Sequence, residues 1–172
     1  EGKKNEEVVV MTASLARLLR QSISNEDELV TIGKEVEYVR SYLTIQKMRY
    51  KDKLEFEIEV EPCIAHVPII RLVLQPIVEN AIYHGLKYKD SKGLLKVHGY
   101  MKGENVVIDI IDDGVGMDEE TLKHIYDKHK VNYRSNGVGV YNVQQRLVLY
   151  YGKGTTASVV IPGMQEGSHE RS

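Results

Sequence analysis

The chain has 172 residues, 42% hydrophobic and 28% charged, with a formal net charge of −2. That is the balance of one globular domain with a helical appendage, and it gives no reason to expect nucleic acid or an anionic membrane as the main partner. The single cysteine, Cys63, excludes an internal disulfide and fits a reducing compartment. No apolar run approaches the ~20 residues that span a bilayer. The first residue is Glu1 rather than methionine, which reads as a cut-down piece of a longer protein.

Residues 6–22 are predicted to be a helix, with Val9, Leu15, Leu18 and Leu19 forming an approximate apolar stripe. Residues 22–28 are polar and turn-rich. A second helix is expected from near Thr31 to about Tyr50, because Ile32, Val36, Val39 and Leu43 recur at three- and four-residue spacing. Two amphipathic helices in succession need an apolar surface to cover, either the domain that follows or another chain.

Residues 53–61 alternate without a miss: Leu54, Phe56, Ile58 and Val60 against Glu55, Glu57, Glu59 and Glu61. This is a strand with one face in the core and an acidic face in water. Pro62 ends it, and Cys63 fills the turn. Pro68 is expected to open the central helix, 69–85, at a position where a missing N–H costs little, with Gly85 as its stop. Residues 92–101 and 105–112 read as a hairpin turning at Lys102-Gly103-Glu104.

Asp118 can cap a short helix running to about Asp127, and 128–136 is basic and aperiodic, as in a mobile loop. Helical spacing returns over 138–151 through Val140, Val143 and Leu147. A closing strand is predicted at 155–161, and 163–172 is expected to be a disordered tail. No internal repeat is present. After the opening helices the order is β, α, β, β, short α, loop, α, β. That leaves too few crossovers for a doubly wound sheet and favours a mixed sheet with helices on one face.

Three pieces of chain carry chemistry. Asp112 shares strand parity with Val106, Ile108 and Ile110, so if that face meets the helices, the carboxylate arrives at the lip of the core. A buried carboxylate needs a donor, and the exocyclic amine of adenine is suitable. Gly114 and Gly116 then let the backbone turn tightly and approach a flat ring. Asn80 lies mid-helix, where asparagine is a poor former, and its amide oxygen can complete a magnesium shell of waters and phosphate oxygens. Gly137-x-Gly139 precedes a helix whose free N–H groups favour phosphate, with Lys128, Lys130 and Arg134 just before it.

Each piece has a plainer reading when taken alone. Asp-Asp-Gly-x-Gly is equally a turn after a strand, a helical asparagine is more often bonded to backbone in a core, and a basic loop is more often simply solvated. The order of the three pieces is far more specific than any one of them.

That order resembles the N, G1 and G2 boxes of the GHKL nucleotide-binding superfamily. The wording Leu-Gln-Pro-Ile-Val-Glu-Asn-Ala-Ile-Tyr-His-Gly at 74–85 and Gly-Val-Gly-Val-Tyr-Asn-Val-Gln-Gln-Arg-Leu at 137–147 is similar to the LytS/YesM-like branch of bacterial sensor histidine kinases. Val39-Arg40-Ser41-Tyr42-Leu43 and Gln46-Lys47-Met48-Arg49-Tyr50 resemble the helix that precedes the domain in that branch. The resemblance covers roughly 15–162.

The resemblance implies a two-layer α/β sandwich of the Bergerat type, divided into a helical linker (1–50), an ATP-binding domain (51–162) and a tail (163–172). It implies Asn80 on Mg2+, Asp112 on the adenine amine, residues 118–136 as a lid, and Gly114, Gly116, Gly137 and Gly139 around the nucleotide. Contacts from His84, Lys87, Met117 and Val140 belong to the same expectation. So do a phosphoacceptor histidine segment, a response regulator and a homodimeric parent as partners, and a cytoplasmic place beneath a membrane-anchored sensor.

Three departures stand out. The Pro-His-Phe phosphoacceptor element of the branch is absent around all six histidines, so the target histidine is expected outside this chain. Tyr83 stands where many sensor kinases carry lysine, which leaves Lys87, one turn on, as the candidate substitute. The phenylalanine-bearing lid box of other branches is missing, the only phenylalanine being Phe56. Related ATPases place a glutamate four residues before the metal asparagine to activate water, and here that position is Pro76, which has no base to offer. Phosphoryl transfer with slow hydrolysis is therefore the expectation. A nucleotide-deficient pseudokinase or dimerisation module is the alternative.

Overall fold

The computed structural model describes residues 2–23, 29–87, 89, 91–116 and 138–152. Its contacts divide the chain into two units, 1–115 and 116–172, and each is described by itself.

In the first unit, helix α1 (Gly2–Ile23) and helix α2 (Ile32–Tyr50) pack on each other, and Val8, Val9, Leu15 and Leu19 of α1 remain exposed. Thr31 caps α2 by accepting the Lys34 N–H at 3.3 Å. The anticipated stripe Ile32, Val36, Val39 and Leu43 is buried, so α2 spends its apolar face on its own unit, against α1, α3 and the sheet.

The region after Pro62 departs from expectation. Pro68 opens a short strand, β3 (Pro68–Ile70), antiparallel to β1 (Leu29–Thr31). The helix α3 begins only at Leu74 and runs to Asn80. The physical reason lies in α2. Glu35, only 3% exposed, accepts the N–H groups of Leu72 (2.8 Å), Val73 (3.1 Å) and Leu74 (3.4 Å). These are donors that a helix start leaves unpaired, and a carboxylate suits the positive end of the helix. Leu72 takes φ 58, a strained value for a branched side chain, and so turns the chain from β3 into α3.

The α-helix does not stop at Gly85 either. It passes into a π-helical turn at Ala81–Leu86, with the Lys87 N–H bonded to the Ile82 carbonyl at 2.9 Å. Gly85 is absent from the residues with positive φ, so its role there is not that of a left-handed stop.

The main sheet has order β2-β4-β5, with β2 (Leu54–Val60) parallel to β4 (Gly93–Lys102) and β4 antiparallel to β5 (Asn105–Asp112). This is the mixed sheet anticipated from the element order, and Gly103 at φ 64 makes the predicted hairpin turn. Leu54, Leu95 and Val97 on the sheet join Val39, Leu43, Ile64, Val78 and Ile82 in the core. On the wet side the acidic row is partly paired. Glu55 meets both Lys47 and Lys92, and Glu57 meets Lys96 at 2.7 Å.

In the second unit, helix α4 spans Val138–Tyr151, as its spacing predicts, with Val140, Val143 and Leu147 buried. Gly152 at φ 88 ends it, donating its N–H to the Val148 carbonyl at 3.0 Å. The predicted short helix at 118–127, the loop 128–136, the strand 155–161 and the tail lie outside the described residues.

Candidate nucleotide site

Strand register settles which way Asp112 faces. In the antiparallel pair β4–β5, Asp112 stands opposite Leu95 and Ile110 opposite Val97, and directly opposed residues share one face of a sheet. Leu95 and Val97 are fully buried. The carboxylate of Asp112 therefore lies on the core face at the strand's end, so its parity set is the one turned to the core, while Ile111 is exposed.

The surroundings of that carboxylate are tightly built. Its Oδ1 accepts the Gly114 N–H at 2.9 Å, and the Val115 N–H reaches the Gly85 carbonyl at 3.1 Å. A methyl group at Gly85 would lie 2.3 Å from Asp112 Oδ1, and one at Gly114 would lie 2.4 Å from the Gly85 backbone. Neither distance is possible between non-bonded atoms, so two glycines are required to bring α3's extension against the end of β5. Gly85 is the residue sequence reasoning misjudged. It was visible as a glycine but assigned to a helix stop, when it serves close approach.

Burial raises the Asp112 pKa above the ordinary carboxylate value. The Gly114 N–H works against this, and neighbouring Asp113 adds to it. Asp113 points elsewhere and acts as a clamp. Its Oδ1 accepts the Leu94 N–H at 2.7 Å and its Oδ2 meets Lys89 at 2.7 Å. The pair Asp112-Asp113 thus divides its labour by strand parity.

Asn80 ends α3, one residue before the π turn. Its Nδ2 is buried with no hydrogen-bond partner among the described residues. An amide carries a donor at one end and an acceptor at the other, and a half-turn of the group exchanges them. The unmet end can take a partner beyond the described residues: an oxygen acceptor as it stands, or a cation once turned. π-helical turns are themselves enriched at functional sites. Glu79, adjacent in sequence, is held instead by Gln75, whose Nε2 donates to it at 2.7 Å.

The remaining predicted site residues fall as follows. Lys87 is exposed just past the π turn, its ammonium 5.9 Å from the centroid of the Tyr83 ring. His84 lies in the π turn, and its side chain is outside the described residues, as are Met117 and Gly137. Gly116 has φ 72 with open space around it, the left-handed value that favours glycine. Gly139 is the second residue of α4, and Val140 next to it is buried. Structure thus brings Asp112, Gly114 and Gly85 into contact and puts Asn80 at the foot of the same helical extension. Among the described residues no three His, Cys, Asp or Glu side chains cluster as a metal cage. A lone amide fits an ion that arrives with its other oxygens already in place.

Comparison with known proteins gives the family. The family model described as "Histidine kinase-, DNA gyrase B-, and HSP90-like ATPase" matches residues 66–169, and a "Histidine kinase" model matches residues 1–54. The chain belongs to the histidine kinase-, DNA gyrase B- and HSP90-like ATPase family, and the resemblance to the LytS/YesM-like sensor kinases holds. Sensor protein LytS of Oceanobacillus iheyensis is 34% identical over 142 residues, covering 81% of this chain and 24% of that protein. Sensor histidine kinase YesM of Bacillus subtilis is 29% identical over 96% of this chain and 30% of that one. YpdA of Escherichia coli, also a sensor histidine kinase, is 32% identical over 88% of this chain and 26% of its own length. The chain spans only about a quarter to a third of these relatives.

Proposed function

We propose that this chain is the ATP-binding part of a sensor histidine kinase, taking up Mg-ATP and giving its γ-phosphoryl group to a histidine outside the chain. The observation that carries the proposal is the wall at Asp112. A core-facing carboxylate is held against two glycines, and Asn80 stands a few residues back along the same helical extension with an unmet amide.

In this reading the Asp112 carboxylate accepts the exocyclic amine of adenine, and Gly85 and Gly114 keep the adjoining wall free of side chains. The Asn80 amide oxygen would join the shell of Mg2+, which when bound neutralises charge on the phosphate oxygens. Gly116, Met117, His84 and Lys87 are proposed to line the nucleotide. At the start of α4, Gly137, Gly139 and Val140 would offer N–H groups that a helix leaves unpaired, which suits phosphate.

Water is not activated here. Pro76 offers no base, and the carboxylate of Glu79 is engaged by Gln75. The phosphoryl group is thus kept for the acceptor histidine, and a response regulator would be the downstream partner, in a parent that works as a homodimer beneath a membrane. Among the described residues no helix is long and apolar enough to cross a membrane.

The test pairs calorimetric titration of the chain with Mg-ATP and measurement of phosphate release. Saturable binding with release slower than one turnover per minute is expected. Absence of binding, or rapid turnover, would contradict the assignment.

A further inference from the structure

Four buried side-chain polar atoms lack a hydrogen-bond partner among the described residues: Tyr42 Oη, Gln46 Oε1, Tyr50 Oη and Asn80 Nδ2. Such atoms are rare in folded proteins because each keeps its full desolvation cost unless something pairs with it. Three of the four lie on α2 at a spacing of four residues, which puts them on one face of that helix. The fourth is the proposed metal-side asparagine.

The face they share is turned toward α3. Helix α2 packs on α3, and the Tyr42 hydroxyl is pushed to a raised pKa first by burial and then by the charge of Glu79, with Tyr83 and Tyr50 adding to it and Arg49 opposing. The hydroxyl is thus within electrostatic reach of Glu79 and Tyr83, which stand on either side of Asn80 in the chain. Further along, Tyr50 forms a crevice with Lys53, Leu54, Ile82, Leu86 and Lys87. The stripe thus follows the other helix from Glu79 toward Lys87, the stretch assigned above to metal and phosphate. Tyr42 and Gln46 are only 8% and 7% exposed. Leucine or phenylalanine would fill such positions without leaving a polar atom unmet, so the polar groups at three successive turns of α2 call for partners that the described residues do not supply.

We propose that Tyr42, Gln46 and Tyr50 of α2 belong to the nucleotide site as positioning residues: they bind the water shell around the metal–triphosphate end and orient the Asn80 amide toward it. The proposal rests on Asn80 being the metal-side residue. It gives α2 a direct part in ligand recognition, beyond that of a linker.

The experiment compares Gln46→Leu, Tyr42→Phe and Tyr50→Phe with the unaltered chain in calorimetric titrations with adenosine, and with ATP with and without magnesium, alongside thermal unfolding. Expected is a roughly tenfold fall in Mg-ATP affinity, a smaller gain from adding magnesium, and unchanged adenosine affinity. Tyr42→Phe, which removes one oxygen and nothing else, decides the matter if Gln46→Leu does not fold. Unchanged Mg-ATP affinity with equal or higher Tm would mean the seam holds only structural water and would overturn the proposal. So would equal losses for adenosine and Mg-ATP, which mark general damage. If the unaltered chain itself gained nothing from magnesium, the assignment of Asn80 would fail first. If Asn80→Ala lost the magnesium gain while the three α2 variants kept it, only the present proposal would fail.

Discussion

At Asp112 the polypeptide closes on itself, whereas at Asn80 it leaves polar atoms unmet. The carboxylate has its Gly114 donor, the Gly85–Gly114 contact admits no added atom, and Asp113 is clamped by Leu94 and Lys89. At Asn80 a buried amide, like three polar atoms on α2, has no partner among the described residues. A flat aromatic base meets the same shape every time, so a rigid wall can be preformed for it. A hydrated, charged triphosphate brings its own water and metal, and the protein there supplies hydrogen-bonding groups that ligand and water complete.

The largest expected effect comes from forcing an atom into the closed end. Gly85→Ala should lower ATP affinity about a hundredfold and cost ~1–3 kcal/mol in overpacking, read by calorimetry and urea unfolding. An alanine variant that binds normally would show the wall to be softer than its distances imply. Next, Glu35→Ala should cost about 3 kcal/mol by stranding the N–H groups at the start of α3, and Glu35→Gln, which keeps an acceptor, should cost less. Equal losses would mean that negative charge, rather than hydrogen bonding, holds the helix start.

Asp112→Asn should lower ATP affinity by ~1–3 kcal/mol without lowering the stability of the ligand-free protein at neutral pH. Burial raises this pKa, so between the unfolded value and the raised one the folded state holds a proton that the unfolded chain has lost. Stability of the unaltered protein therefore falls as pH rises through that window, and the asparagine variant should not share that fall. Matching pH profiles of Tm would count against a carboxylate whose pKa is raised by burial. The smallest effect should come from the sheet's wet face: Lys96→Ala breaks an exposed ion pair and should move neither Tm nor affinity measurably.

Much of the fold was readable because periodicity is a local property. The strict alternation at 54–60, the hairpin about Gly103 and the stripe on α2 each appear where spacing put them. The beginning of α3 was not readable, since it is decided by a carboxylate 37 residues upstream, and proline offers itself equally to a helix start or a strand start. Glu35 shares a helical face with Ile32, Tyr38 and Val39, three and four residues away, and that was the available signal. Parity put Asp112 on one face with Val106, Ile108 and Ile110, and the pairing with Leu95 and Val97 decided that this is the core face. The purpose of Gly85 did not, because close approach depends on a partner strand that no local pattern reveals.

The most direct measurement concerns the adenine amine. ATP and inosine triphosphate differ in carrying an amine or a carbonyl at the position that Asp112 is held to face. The unaltered chain should prefer ATP by about tenfold or more, and Asp112→Asn should erase that preference. Equal affinities in the unaltered chain, or a preference that survives the substitution, would contradict the assignment of Asp112 to adenine.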